Sequence, residues 1–165
     1  MTADVRPAGL EDTDAIAAVA EDAWYAAYGG FLDPSTIAAA LEAYYDPSIL
    51  EAAVAEDAIG FYVAVEEGEG VVGFASVERT WADEAELHTL YVHPDRWGDG
   101  IGSALLERAT ERAVAQGVDR VACGVLADNA VGVGFFESRG FERGRTTDAE
   151  IAGERHPELG FERRV

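Results

Sequence analysis

The apolar positions of the chain fall into two successive rhythms, helical first and strand-like afterwards. A short alternating stretch at residues 4–6 reads as an edge strand. After Asp12, a helix cap, Ile16, Val19, Ala23, Trp24 and Ala27 recur at helical spacing, and Gly29 and Gly30 stop the run. Asp33 then caps a helix with Pro34 at its first position, carrying Ile37, Leu41 and Tyr44. Asp46 and Pro47 repeat the device ahead of Ile49, Leu50 and Val54. From there the period changes to two. Residues 61–65 and 71–77 are β-rich runs joined by a hairpin at 66–70, and 85–92 is another strand. A glycine-rich loop at 94–102 leads into a helix at 103–116, stopped by Gly117. A strand at 118–126, a helix at 130–139 stopped by Gly140, and strands at 141–147 and 159–165 complete the order. This succession predicts a single α+β domain over residues 1–165, with a mixed central β-sheet flanked by helices.

Composition narrows the function classes. Apolar residues make up 48% of the 165, enough for a core without disulfides or metal. Cys123 is the single cysteine, so no internal disulfide and no cysteine-based zinc site is expected. No apolar run approaches the roughly 18 residues of a membrane helix. Residues 1–14 are acidic and lack a basic-then-apolar leader. A cytoplasmic protein without a membrane partner is expected. The charge is unusual: 32 acids face 12 bases, for a net charge of −20. Every base is an arginine. Such a surface resembles those of proteins from salt-loving archaea, where a Debye length of about 3 Å at molar salt mutes the repulsion. A dedicated acidic face for cationic partners is the other reading of these acids. Nucleic acid is not an expected partner, because binding it needs phosphate neutralisation by Lys and Arg.

The most informative segment is residues 90–103, Leu-Tyr-Val-His-Pro-Asp-Arg-Trp-Gly-Asp-Gly-Ile-Gly-Ser. A strand enters a loop with glycines at 98, 100 and 102, and a helix follows. A helix start offers unpaired backbone N–H groups and the positive end of the helix dipole. Glycines let that backbone approach an anion closely, which suits a phosphate and requires no basic side chain. The Walker loop is excluded because the chain has no lysine, and the third glycine misses the dinucleotide spacing.

Residues 86–106 resemble the signature of the Gcn5-related N-acetyltransferases, of a haloarchaeal type: an apolar strand ending in L-x-V-x-P, then Arg or Gln-x-x-G-x-G or A, then a helix. Trp97 stands where Arg or Gln is usual, and Asp99 where a base is common. A second motif, Asn followed by a helix and F-Y-E-x-x-G-F, is similar to Asn129 and Phe135-Phe136-Glu137-Ser138-Arg139-Gly140-Phe141. The resemblance implies a splay between two strands that holds acetyl-CoA as cosubstrate. The pyrophosphate would lie against the backbone N–H groups of residues 98–103, namely Gly98, Asp99, Gly100, Ile101, Gly102 and Ser103, with Trp97 a further cosubstrate-binding residue. The pantetheine arm would lie along Leu90, Tyr91 and Val92 and against Asn129, with Phe136 near the thiol. Many relatives carry a tyrosine there that protonates the leaving thiolate; Phe136 cannot.

Transfer to an amine needs a group that removes its proton. Glu86, four residues before Leu90, occupies the position of the catalytic glutamate in histone-type members, and His88 is a second candidate. Strict alternation places Glu86, His88 and Leu90 on one face, unless a bulge changes the parity. The aromatics of the early helices, Trp24 and Tyr28 foremost, would by resemblance wall the acceptor site, although helical spacing also suits plain core. The expected function is direct transfer of the acetyl group of acetyl-CoA to a primary amine, either a small molecule or a protein N-terminus. Dimerisation is common in the family, so a homodimer is a further expectation. The alternatives are a non-catalytic acyl-CoA sensor, favoured by Phe136, and a nucleotide-binding protein using the same loop.

Overall fold

The computed structural model describes residues 3–165. A seven-stranded sheet forms the spine, in the order β1-β2-β3-β4-β5-β7-β6. The strands are β1 (Asp4–Pro7), β2 (Ile59–Glu66), β3 (Gly70–Trp81), β4 (Glu84–Val92), β5 (Arg120–Leu126), β6 (Glu142–Ile151) and β7 (Glu154–Arg164). Neighbours run antiparallel except β4 and β5, which are parallel and paired only over Glu84–Glu86 and Arg120–Ala122. Beyond those three residues no strand among the described residues pairs with that edge of β4.

Helices cover both faces. Between β1 and β2 lie α1 (Thr13–Tyr28), α2 (Pro34–Tyr45) and α3 (Pro47–Ala55). Their apolar stripes, with Ile16, Trp24, Ile37 and Leu50, bury against Val63 and Phe74 of the sheet. The opposite face is covered by α4 (Ile101–Ala115), which crosses from β4 to β5, and by α5 (Ala130–Ser138). Leu105 and Phe136 there pack on Val77, Leu87 and Val121. Each such side chain, fully buried, contributes about 1.5–3 kcal/mol of transfer free energy. Among the described residues no helix is long and apolar enough to cross a membrane.

Several details depart from the sequence expectation. Gly100 adopts φ +85° and turns the chain, so α4 starts at Ile101 and not at residue 103. The polar run 146–150 has no strand alternation, yet β6 continues to Ile151 and meets β7 through a turn with both Ala152 and Gly153 at positive φ. That edge is held by backbone pairing with β7 and not by burial. In α2 it is Tyr45 that is buried, while Tyr44 is 44% exposed.

The main correction concerns β4. The β3–β4 register passes from Ser76 opposite Thr89 to Val77 opposite Leu87, so His88 is the extra residue of a bulge. The parity therefore flips. Ala85 and Leu87 face α4, and so do Leu90 and Val92. Glu86 lies on the opposite face, as does Tyr91, which packs with the α1–α2 cluster. The expected common face of Glu86, His88 and Leu90 does not exist.

Candidate functional site

Two cavities meet at the end of the sheet where β4 and β5 part. The larger, of about 420 Å³, is bounded by the free edge of β4 at Leu90, Tyr91 and Val92 and by the following loop. Trp97, Gly98, Gly100, Ile101, Gly102 and Ser103 form its floor, and Asn129, Phe135, Phe136 and Arg139 its far wall. Asp99 is not part of its lining.

The loop's three glycines serve two physical needs. Gly98 and Gly100 sit at φ +86° and +85°, which side chains rarely adopt. Nothing lies within 4 Å of where a Cβ would project from either. Gly102, inside the first turn of α4, is demanded by packing: a Cβ there would lie 2.9 Å from Cε1 of Phe135. No side chain caps the start of α4, so the N–H groups of Ile101, Gly102 and Ser103 have no intrahelical acceptor. These unpaired donors and the clear space above the glycines fit a phosphate.

Cations are scarce here. Arg96 donates to Glu66 at 2.9 and 3.1 Å and is spent in that ion pair. Trp97 folds back, its indole N–H donating to the Val92 carbonyl at 2.9 Å. Arg139 has no carboxylate partner among the described residues. Its guanidinium stacks 3.8 Å above the Phe135 ring and donates to the Ser103 hydroxyl at 2.9 Å. It is the positively charged group available to the cavity, and the sequence reading had passed over it. Asn129 caps α5 by accepting from the Gly132 N–H at 3.0 Å. Phe136 is 8% exposed and packs against Phe135, Phe141 and Phe161.

The second cavity, of about 340 Å³, lies on the α1–α2 face. Trp24, Tyr28, Tyr44, Tyr45 and Tyr91 wall one side, and His88, Glu150 and Glu158 reach it from the sheet. The two cavities share Tyr91. Its hydroxyl lies 2.9 Å from that of Tyr28. Burial pushes both phenols up, so they stay protonated and neutral. His88 is bound to Glu78 at 2.9 Å. Glu86 lies on this face but is exposed and lines neither cavity.

Glu158 is a second residue that sequence reasoning missed. It sits in β7 and covers Gly124 of β5, where a Cβ would come within 2.5 Å of its Oε1. Partial burial, followed by the charge of Glu86, raises its pKa above the ordinary carboxylate value. The same two carboxylates and, first, burial push the Cys123 thiol up to about 12, so it is no nucleophile at neutral pH. Nothing local in the sequence marks Glu158. No group of three or more metal-ligating side chains gathers among the described residues.

Comparison with known proteins agrees with this geometry. Residues 19–141 match the model of the acetyltransferase (GNAT) family, and the chain belongs to that family. It is 30% identical over 146 residues to the L-methionine sulfoximine/L-methionine sulfone acetyltransferase of Pseudomonas paraeruginosa, covering 86% of this chain and 81% of that one. It is 35% identical over 92 residues to an uncharacterised N-acetyltransferase of Methanocaldococcus jannaschii, covering 52% of this chain but 40% of the relative. It spans 33% of a Kineococcus radiotolerans mycothiol acetyltransferase. The fold matches the PaiA N-acetyltransferase of Thermoplasma acidophilum, solved with coenzyme A, with a TM-score of 0.87 at 22% identity over the whole of both chains.

Proposed function

We propose that this chain transfers the acetyl group of acetyl-CoA directly to the nitrogen of an amine. The carrying observation is the pairing of two cavities across the β4–β5 splay, one offering backbone donors and the other an aromatic pocket with carboxylates. The N–H groups at the start of α4, with Arg139, would hold the pyrophosphate. The free edge of β4 and Asn129 would hold the arm. The acceptor enters past Trp24 and Tyr28. Its nitrogen forms a bond to the acetyl carbon as the carbon–sulfur bond breaks, and coenzyme A leaves as thiolate. Glu86, on the acceptor face, takes the nitrogen's proton through water. Phe136 donates no proton, which a thiol with a pKa of about 8–9 tolerates as a leaving group.

The lysine-free acidic surface is read as adaptation to a salt-rich cytoplasm. A homodimer rests on the family resemblance alone, and light scattering on the eluting protein tests it. The decisive experiment is calorimetric titration with acetyl-CoA in molar KCl, followed by an amine screen for thiol release. Saturable one-to-one binding is expected. A folded protein that binds none at high salt overturns the proposal.

A further inference from the structure

The acceptor cavity carries information about its substrate that the family relationship does not. Its charged lining is Glu150 and Glu158, with His88 already bonded to Glu78. No arginine lines it. Arg155 opposes Glu150 in the β6–β7 register but stays outside the lining. The remaining walls are five aromatic rings, Gly124, the apolar side chains of Leu126, Ala149 and Ile151, and Thr89, whose hydroxyl is paired with that of Ser76.

Aromatic faces and carboxylates both attract a cation. A carboxylate on the acceptor would meet no counter-charge here and would stand against two like charges. Its neutral donors are the buried Trp24 indole N–H, which makes no well-formed hydrogen bond, and the tyrosine hydroxyls, of which those of Tyr28 and Tyr91 are bonded to each other. Neutral donors can hold a hydroxyl or carbonyl oxygen of an acceptor. They do not neutralise a carboxylate.

Glu158 lies directly over Gly124. Its carboxylate occupies the space that a side chain at 124 would need, so a Cβ there would displace it. Glu158 is thereby laid over β5 towards Tyr28, whose phenol it faces closely enough to perturb.

Resting on the acetyl-transfer reading, we propose that Glu158 receives the acceptor's ammonium, and that the acceptor is a primary amine without a carboxylate, its apolar or aromatic body lying against Trp24 and the tyrosines. Glu158 is a positioning residue: it places the nitrogen and sets the substrate class. α-Amino acids are rejected by the same arrangement.

The test uses matched pairs that differ only in the carboxylate, phenethylamine with L-phenylalanine and isoamylamine with L-leucine. Each is titrated calorimetrically into the protein saturated with coenzyme A, which lacks the acetyl group and so permits no turnover. Each carboxylate-free amine is expected to bind about tenfold or more tighter than its partner, equivalent to about 1.4 kcal/mol. In Glu158→Gln that ratio collapses towards one. Gly124→Ala, which displaces Glu158 without altering its charge, moves it in the same direction. A merely structural Glu158 would weaken both members of a pair alike and leave the ratio unchanged. Equal or tighter binding of the amino acids, no binding by any of the four, or an unchanged ratio in Glu158→Gln overturns the proposal. Failure to bind coenzyme A itself sinks the acetyl-transfer reading instead. The pairs are then titrated on the free protein, where the same selectivity is expected.

Discussion

The two cavities at the β4–β5 splay are made from different materials. The larger one is a backbone site: its donors are main-chain N–H groups presented by a strand, a loop and a helix start contiguous between residues 90 and 103. The smaller is a side-chain site, assembled from α1, α2, β4, β5, β6 and β7. A backbone site tolerates exchange of side chains so long as the glycine torsions survive, which is why Trp97 and Asp99 can depart from the family pattern. A side-chain site changes its ligand with a single substitution. One fold can therefore keep one cosubstrate and vary its acceptor.

The comparison is tested most severely on the acceptor face of β4. Glu86→Gln should lower kcat about 100-fold, within the usual range for loss of a general base, with acetyl-CoA affinity unchanged by calorimetry. A loss of affinity would instead place Glu86 in the cosubstrate site, which its position on the opposite face of β4 argues against. Unchanged kcat would move the proton transfer to another carboxylate of that face. Gly100→Val probes the other side. A β-branched residue at φ +85° costs roughly 1–2 kcal/mol of strain. The loop should relax and weaken acetyl-CoA binding about tenfold, while binding of the acceptor to the free protein stays unchanged.

Legibility in the sequence follows the same division. The loop could be read because glycine spacing and the strand-to-helix switch are local, whereas Asn129 was singled out by resemblance to the family's second motif and is found capping the helix beside it. The element order was legible from periodicity for the same reason. Glu158 was not, because its neighbour Gly124 is 34 positions away and reaches it only through the β5–β7 pairing. The bulge at His88 was invisible because it is set by the register against β3, so alternation alone gave Glu86 and Leu90 a common face that the fold denies them. Tyr44 and Tyr45 were exchanged because adjacent aromatics at a helix end satisfy the spacing equally well.

Arg139 is a smaller test, since it is the exception to the backbone rule. Arg139→Ala should weaken acetyl-CoA binding about fivefold in dilute buffer, the scale of one partly exposed charge-assisted contact. In molar KCl, where screening acts over about 3 Å, the loss should shrink. A loss that is independent of salt would mean that Arg139 acts by stacking on Phe135 and thereby holding Gly102 in place.

The smallest effect is expected where the side-chain site is anchored farthest from its ligand. Asp12 precedes α1, the helix that carries Trp24 and Tyr28, and accepts from Arg6 at 2.7 and 2.9 Å and from the Gly9 N–H at 2.8 Å. The Arg6 hydrogen bond holds its carboxyl below the ordinary value. A carboxylate lowered in the folded state stabilises the fold above its unfolded pKa, about 4. That contribution disappears as pH falls through the folded pKa. Arg6 is 44% exposed and an asparagine keeps an acceptor for Gly9, so Asp12→Asn should cost only about 0.5–1 kcal/mol at pH 7. Urea unfolding in molar KCl should show that difference holding from pH 7 to about pH 5 and shrinking below about pH 4. Acceptor binding should weaken with it near the acid limit, and the glycine loop's affinity for coenzyme A should not. Parallel loss of both would show that α1 supports the two cavities equally, through Ala23 and Ala27 on the larger one as well as Trp24 and Tyr28 on the smaller.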